Sequence, residues 1–172
     1  GLALAYKKNN NFNEGLASLD KLLEKYPKNL VLNTTKVEFV SYFNKFNDAL
    51  DLANKFLEIS PKNYPLSISK SQILLNMGQY FESEEIIRDQ LLRKNDSPDL
   101  WFMLSETQKT SQNIVGYHQS RAEYFLLLGQ DEKALNQLEF ALQLTQNNFQ
   151  VSDRIMTKII EIKKSLQNSR GL

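Results

Sequence analysis

The sequence has no cysteine, one histidine and one tryptophan, and only six glycines and four prolines among its 172 residues. Without cysteine the chain forms no disulfide and has no thiol chemistry. A single histidine, His118, cannot build a zinc site without further ligands at suitable spacing. The sequence also contains no H-E-x-x-H motif, no phosphate-binding glycine loop and no G-x-S-x-G elbow. These absences argue against a catalytic function.

The sequence also lacks a charge excess of either sign and any long apolar run. Lys and Arg number 21 against 20 Asp and Glu, so the balanced charge does not indicate nucleic-acid binding. No apolar run approaches the roughly 18 residues of a transmembrane helix, and the N-terminus lacks the sections of a signal peptide. At 41% hydrophobic residues, the chain is expected to fold around a buried core.

The sequence repeats at a fixed period. One feature that repeats is a proline, at Pro27 and Pro61. The other is an Asn or Gly followed two residues later by an aromatic residue, at Asn10-Phe12, Asn44-Phe46 and Gly78-Tyr80. The repeat period is about 34 residues, which is the length of a tetratricopeptide repeat. Each such repeat is a helix–turn–helix unit that buries its apolar face against its neighbours. The chain resembles this class, which predicts an all-α tetratricopeptide-repeat solenoid of about ten helices with a C-terminal capping helix.

The predicted repeats lie at about 1–27, 28–61, 62–97, 98–128 and 114–147, with the capping helix at 148–168. The last two repeats overlap because Gly129 follows Gly78 by one and a half repeat periods, so that one helix serves both. Trp101 falls on a consensus packing position. Tyr6 falls on the consensus tyrosine, which leaves the first helix without its opening turn. We therefore expect one domain, 1–172, taken from a longer protein.

The first helix of each repeat lines a concave groove in this class, and its outward residues are candidates for partner contact. They are Thr34, Glu38 and Tyr42; Ile68, Gln72 and Asn76; and Phe102, Glu106 and Lys109. Aromatic and polar groups together suit an extended peptide or a folded neighbour. For any single position, an ordinary solvated helix residue is an equal alternative.

One segment resembles a more specific family. It comprises Asp99–Glu106, Asn113–Phe125, Leu128–Gly129, Ala134, Asn148–Gln150 and Arg154–Ile155. It is similar to the C-terminal half of bacterial periplasmic zinc metallopeptidases of the BepA (YfgC) type, and the H-x-x-R-A-E-Y-F core from His118 is its most specific part. The resemblance covers Asp99 to Ile155. The earlier repeats match only as tetratricopeptide repeats.

Proteins of that family join an N-terminal H-E-x-x-H protease domain to this repeat domain and act in quality control of outer-membrane proteins. The resemblance implies a periplasmic location, with no catalysis and no cofactor in this chain and zinc only in the missing protease domain. Implied partners are the β-barrel assembly machinery, outer-membrane protein clients and the protease domain itself. His118, Arg121 and Glu123 match the family motif, and we expect them to form a polar cluster with a structural or inter-domain role.

The leading hypothesis is a non-catalytic interaction domain that binds the assembly machinery or its clients through the groove and restrains its own protease domain. The alternative is a free-standing tetratricopeptide adaptor of another bacterial complex or secretion system. An H-E-x-x-H domain upstream in the full-length protein would decide between them. A catalytic module would require hydrolysis by the isolated domain, which we expect to be absent.

Overall fold

The computed structural model describes residues 11–145 and 147–170. Nine helices, and no strand, lie in this part of the chain. They are α1 (Phe12–Lys25), α2 (Leu30–Tyr42), α3 (Phe46–Ile59), α4 (Tyr64–Asn76), α5 (Tyr80–Arg93), α6 (Pro98–Thr110), α7 (Ile114–Leu127), α8 (Asp131–Leu144) and α9 (Phe149–Arg170). The predicted first helix, with Tyr6, lies outside the described residues.

Asparagine side chains begin several of these helices. The side-chain oxygens of Asn29 and Asn63, which are one repeat period apart, accept hydrogen bonds from Leu32 N–H at 3.1 Å and Leu66 N–H at 2.9 Å. Each bond satisfies one of the N–H groups that a helix leaves unpaired at its start, a contribution of about 1 kcal/mol. The period of the sequence is therefore also a period of helix starts.

The helix ends follow the same period through left-handed backbone. Asn44, Gly78 and Gln112 have φ values of 58°, 78° and 62° and follow one another at the repeat period, and Gly129 comes next with φ of 68°. Glycine adopts this conformation without strain and asparagine tolerates it, whereas glutamine is strained there. Gly78 and Gly129 therefore adopt the left-handed conformation without strain. Gln112 occupies a glycine position without being glycine.

We expect Gln112→Gly to raise the free energy of unfolding by about 1 kcal/mol, because it removes backbone strain. Asn44→Gly should change stability by less, since asparagine already tolerates the left-handed region. Urea unfolding followed by circular dichroism compares the two variants. A loss of stability in Gln112→Gly would show that the glutamine side chain contributes more than its backbone strain costs.

Contacts divide the chain into two compact units, Gly1–Ile86 (the N-unit) and Ile87–Leu172 (the C-unit), with the division inside α5. The expectation of one domain stays a prediction. In the N-unit, α2 packs against α1, α3 and α4, and α3 packs against α4. The buried core is formed by Val37, Val40, Ala49, Ala53, Leu66 and Ile73.

Two buried serines join α4 to α5 within the N-unit. Ser83 lies one repeat period after the fully buried Ala49 and is itself fully buried. Its hydroxyl donates to the Ser71 carbonyl oxygen at 2.9 Å and lies 3.0 Å from the Ser71 hydroxyl. Small side chains at these positions allow the two helices to approach closely, and the hydroxyls satisfy each other where water is excluded.

In the C-unit, α6 packs against α7, α7 against α8, and α8 against α9. The core consists of Ala122, Ala134, Leu138, Ala141, Ile155, Ile159 and Ile162. Ala134 and Ala141 are fully buried, and α9 turns Ile155, Ile159 and Ile162 into this core. Trp101 is partly buried, and its indole N–H donates to the Asn95 carbonyl oxygen at 2.8 Å.

Gly116 marks a close approach of α7 to α6. A Cβ atom on Gly116 would lie 2.7 Å from Asn113 Nδ2 and 2.8 Å from Gln108 Nε2. Both side chains are held in place by hydrogen bonds. Asn113 Oδ1 accepts from the Gly116 N–H at 3.1 Å. The buried Gln108 in turn accepts a hydrogen bond from the Ser120 hydroxyl at 2.7 Å. Any other residue at position 116 would force these side chains to shift.

Candidate functional site

A cavity of about 510 Å³ opens in the N-unit between α2 and α4. We call it the α2–α4 cavity. Its lining residues are Glu38, Ser41 and Tyr42 from α2; Asn44 and Phe46 from the turn and start of α3; and Ile68, Ser69, Gln72, Ile73 and Asn76 from α4. It contains five of the six residues predicted to face the groove in this unit, and their role in binding stays a prediction.

Helical spacing and the repeat bring these five residues together. Glu38 and Tyr42 are four residues apart on α2, and Gln72 and Asn76 are four apart on α4, so each pair shares one helix face. Gln72 also follows Glu38 by one repeat period, and Asn76 follows Tyr42 by the same interval. Equivalent positions of two consecutive repeats therefore line opposite walls of the cavity.

The lining combines polar and apolar side chains. The Ser69 hydroxyl donates to Glu38 Oε1 at 3.3 Å, and Gln72 Nε2 donates to Asn76 Oδ1 at 3.3 Å. The ring of Tyr42 meets Phe43 edge-on at 5.3 Å between centroids and is 56% exposed. Carboxylate, amide and hydroxyl groups beside aromatic and aliphatic carbon can hold a peptide segment through hydrogen bonds and contact area.

Two of the three predicted groove residues of the C-unit, Phe102 and Lys109, contact aromatic side chains of α7. Phe102 is 40% exposed, and its ring lies 5.5 Å from that of Tyr124. The Lys109 ammonium lies 5.9 Å from the centre of the Tyr117 ring. Glu106 is partly buried, and its backbone carbonyl accepts from the Thr110 hydroxyl at 2.8 Å.

His118, Arg121 and Glu123 do not form the expected polar cluster. His118 Nδ1 lies 2.9 Å from Gln137 Oε1, whereas Glu123 forms an ion pair with Lys158 on α9. The guanidinium carbon of Arg121 lies 5.0 to 5.2 Å from the centres of the Phe102, Tyr124 and Phe125 rings, and its buried Nη1 has no hydrogen-bond partner in the described structure. Glu123 lies five residues after His118 and two after Arg121, so it points to a different side of α7. His118 and Arg121 are neighbours on one side of the helix, but one contacts Gln137 of α8 and the other packs on aromatic rings.

No protein-family model and no curated protein matches the sequence. Solved structures do. Residues 41 to the end of MamA from Desulfovibrio magneticus RS-1 superpose with a TM-score of 0.63 at 12% identity, covering 95% of this chain and 92% of that one. Another crystal structure of MamA gives 0.64 at 9% identity, covering 100% and 98%. A tetratricopeptide repeat protein from Parabacteroides merdae gives 0.55 at 15% identity, covering 90% and 67%.

The chain has a tetratricopeptide-repeat fold. The predicted fold class, an all-α tetratricopeptide-repeat solenoid, is therefore confirmed. Identities this low show the fold alone. The closer resemblance to BepA-type metallopeptidases stays a prediction.

The structure corrects the prediction for Thr34 within this tetratricopeptide-repeat fold. Its side chain is buried, and its hydroxyl donates to the Leu30 carbonyl oxygen of the same helix at 2.9 Å. A threonine that bonds its own backbone one turn earlier has its polar group occupied. The expectation that Thr34 faces outward for partner contact is wrong.

Sequence reasoning missed five residues of the cavity lining. They are Ser41, Asn44, Phe46, Ser69 and Ile73. Asn44 and Phe46 had served only as markers of the repeat period. In the tetratricopeptide-repeat fold these two residues lie at the turn between the two helices of a repeat. The repeat pattern in the sequence therefore also marked one end of the cavity.

The described structure shows no arrangement for metal chemistry. Within residues 11–145 and 147–170, no three His, Asp or Glu side chains come together in a way that would hold a metal ion. Over the same ranges, no helix of the tetratricopeptide-repeat fold combines the length and apolar character needed to span a bilayer.

Proposed function

We propose that this chain is a non-catalytic protein-interaction domain that binds a segment of another protein in the α2–α4 cavity. The observation that carries the proposal is the convergence of Glu38, Tyr42, Gln72 and Asn76 on one cavity from two helices. Tetratricopeptide-repeat neighbours among solved structures support a scaffold of this kind.

The cavity would bind by contact area and hydrogen bonding. Tyr42 offers a large exposed ring with few rotatable bonds, which suits an interface anchor. The amides of Gln72 and Asn76 each provide donors and an acceptor, which match the alternating N–H and C=O groups of an extended peptide. Ile68 and Phe46, which are both partly exposed, provide the apolar surface against which a side chain of the segment would pack.

The finer form of the proposal is a periplasmic repeat domain of a zinc metalloprotease that acts in outer-membrane protein assembly and quality control. Its partners would be the β-barrel assembly machinery, client proteins or its own protease domain. No cofactor would bind in this chain, and zinc would belong to the protease domain. The support for this form is the sequence resemblance from Asp99 to Ile155.

We expect Tyr42→Ala to weaken partner binding about tenfold, because an exposed aromatic anchor is lost, while the melting temperature stays nearly unchanged. Phe81→Ala is the matched control, since Phe81 is 72% exposed on α5 and does not line the cavity. The partner is first captured by a photo-reactive residue at Gln72 in a bacterial envelope, with the same residue at Phe81 for comparison. Affinity for the captured partner is then measured by titration.

The identity of the captured partner separates the forms of the proposal. Components of the barrel-assembly machinery or outer-membrane proteins support the periplasmic form. Capture of only a supplied H-E-x-x-H domain would indicate that the cavity binds the protease domain of the same protein. Components of another complex or of a secretion system support the free-standing adaptor. Equal capture at Gln72 and Phe81 would contradict the cavity as the binding surface, and a large loss of stability in Tyr42→Ala would contradict our placement of Tyr42.

A further inference from the structure

The charge of the α2–α4 cavity is one-sided. Glu38 is the single charged side chain among its lining residues, and the other polar groups are hydroxyls and amides. Within the described residues Glu38 has no ion pair; its hydrogen-bond partner is the neutral Ser69 hydroxyl at 3.3 Å. The cavity therefore carries an uncompensated negative charge.

The lysines nearest to Glu38 along α2 and the following turn are engaged elsewhere. Lys36 forms a 2.5 Å ion pair with Asp20 of α1, on a different side of α2 from the cavity. Lys45 places its ammonium 5.0 Å from the centre of the Phe12 ring. Neither lysine lines the α2–α4 cavity. The carboxylate of Glu38 thus remains open to a cation supplied from outside the chain.

Tyr42 adds a second group that attracts a cation. It lies one helical turn after Glu38, on the same face of α2, and both side chains line the cavity. A carboxylate and an aromatic face at this spacing provide an ion pair and a cation–π contact for one ammonium or guanidinium group. Ser69 holds the carboxylate at the wall without removing its charge.

We infer that the α2–α4 cavity selects protein segments that place a lysine or arginine between the Glu38 carboxylate and the Tyr42 ring. The inference rests on the proposed function and names the chemistry of its partner. The amides of Gln72 and Asn76 on the opposite wall bond the backbone of the segment, and Glu38 sets which residue it carries. An acidic residue at the same point is rejected by like charge, which gives specificity as well as attraction.

The test uses the full 172-residue chain, immobilised, and three labelled nonapeptide pools that are random except for a fixed central residue. That residue is lysine in one pool, norleucine in the second and glutamate in the third. We expect the wild-type chain to retain the lysine pool about fivefold to tenfold better than the norleucine pool, from one exposed ion pair and one cation–π contact. The glutamate pool should be retained least.

Three variants test whether Glu38 causes the preference for lysine over norleucine. Glu38→Gln should reduce the ratio of lysine to norleucine retention to about one, and Glu38→Lys should favour the glutamate pool. Glu58→Gln, at an exposed position of α3 away from the cavity lining, should keep the wild-type ratio. Circular dichroism checks that each variant is folded.

The remaining outcomes separate this inference from the proposed function. If Glu38→Gln keeps the lysine preference, the inference is overturned. If the wild-type chain retains all pools equally and Tyr42→Ala loses them all, the cavity binds peptides without selecting charge, and only the inference fails. If no pool is retained above an unloaded surface, the peptide-binding function fails with it.

Discussion

Gly116→Ala is expected to lower the free energy of unfolding by about 3 kcal/mol, although alanine is a better helix former than glycine. The added methyl group would lie within 3 Å of Asn113 Nδ2 and Gln108 Nε2. Relief requires both a shift of the Asn113 cap and a displacement of Gln108 from its buried bond with Ser120. Both changes leave polar groups unsatisfied at the junction of α6 and α7. Urea unfolding of the purified variant measures the loss.

Gly129→Ala is the control for this effect. Gly129 has φ of 68°, but a Cβ atom there would meet nothing within 4 Å. We therefore expect only the backbone strain of a left-handed alanine, about 1 kcal/mol. Equal losses for the two variants would show that conformation, rather than close packing, explains the glycine at 116.

Ser83→Val is expected to lower the free energy of unfolding by about 3 kcal/mol. The bulkier side chain would replace a fully buried serine and separate α4 from α5. The Ser71 hydroxyl would then lose its buried neighbour, the Ser83 hydroxyl at 3.0 Å, which adds the cost of a poorly satisfied polar group. The same urea titration, with both far-ultraviolet and tyrosine signals, measures the effect.

A double-mutant cycle separates packing from hydrogen bonding at this contact. Ser83→Ala alone should cost about 1 kcal/mol, because it removes one hydroxyl and leaves the other with a weaker partner. The double variant Ser71→Ala with Ser83→Ala should cost less than the sum of the single changes, since the two groups interact. A cost for Ser83→Val no larger than that for Ser83→Ala would contradict the close approach of the two helices.

The fold followed from the sequence because its strongest signals are local and periodic. Pro27 and Pro61 define the repeat length, and Gly78 and Gly129 adopt the left-handed conformation that ends a helix. Five residues of the cavity lining had been placed by the same register, because equivalent positions of consecutive repeats, such as Glu38 and Gln72, lie on the same side of their helices. What a single sequence shows well is geometry that recurs.

The features that sequence reasoning missed have different physical causes. The residue type of Gln112 does not indicate its left-handed conformation, because glutamine does not favour that region; only its spacing from Asn44 and Gly78 does. Glu123 is paired with Lys158, 35 residues away, and that pairing needs the packing of α9 on the rest of the C-unit. The prediction for Thr34 was wrong because its hydroxyl bonds the backbone of its own helix, and the repeat register does not specify whether a hydroxyl does so.

The contact pattern of the N-unit has a consequence for synthesis on the ribosome. Among the described residues, each of α1 to α3 packs on the next helix or the one after it, and the core with the side chains around it lies between Phe12 and Met77. The loops that must close are short, and proteins rich in such local contacts fold in about microseconds to milliseconds. Translation adds only about 5 to 20 residues per second. The α2–α4 cavity can therefore be complete, and open to a partner, while α6 to α9 are still being made.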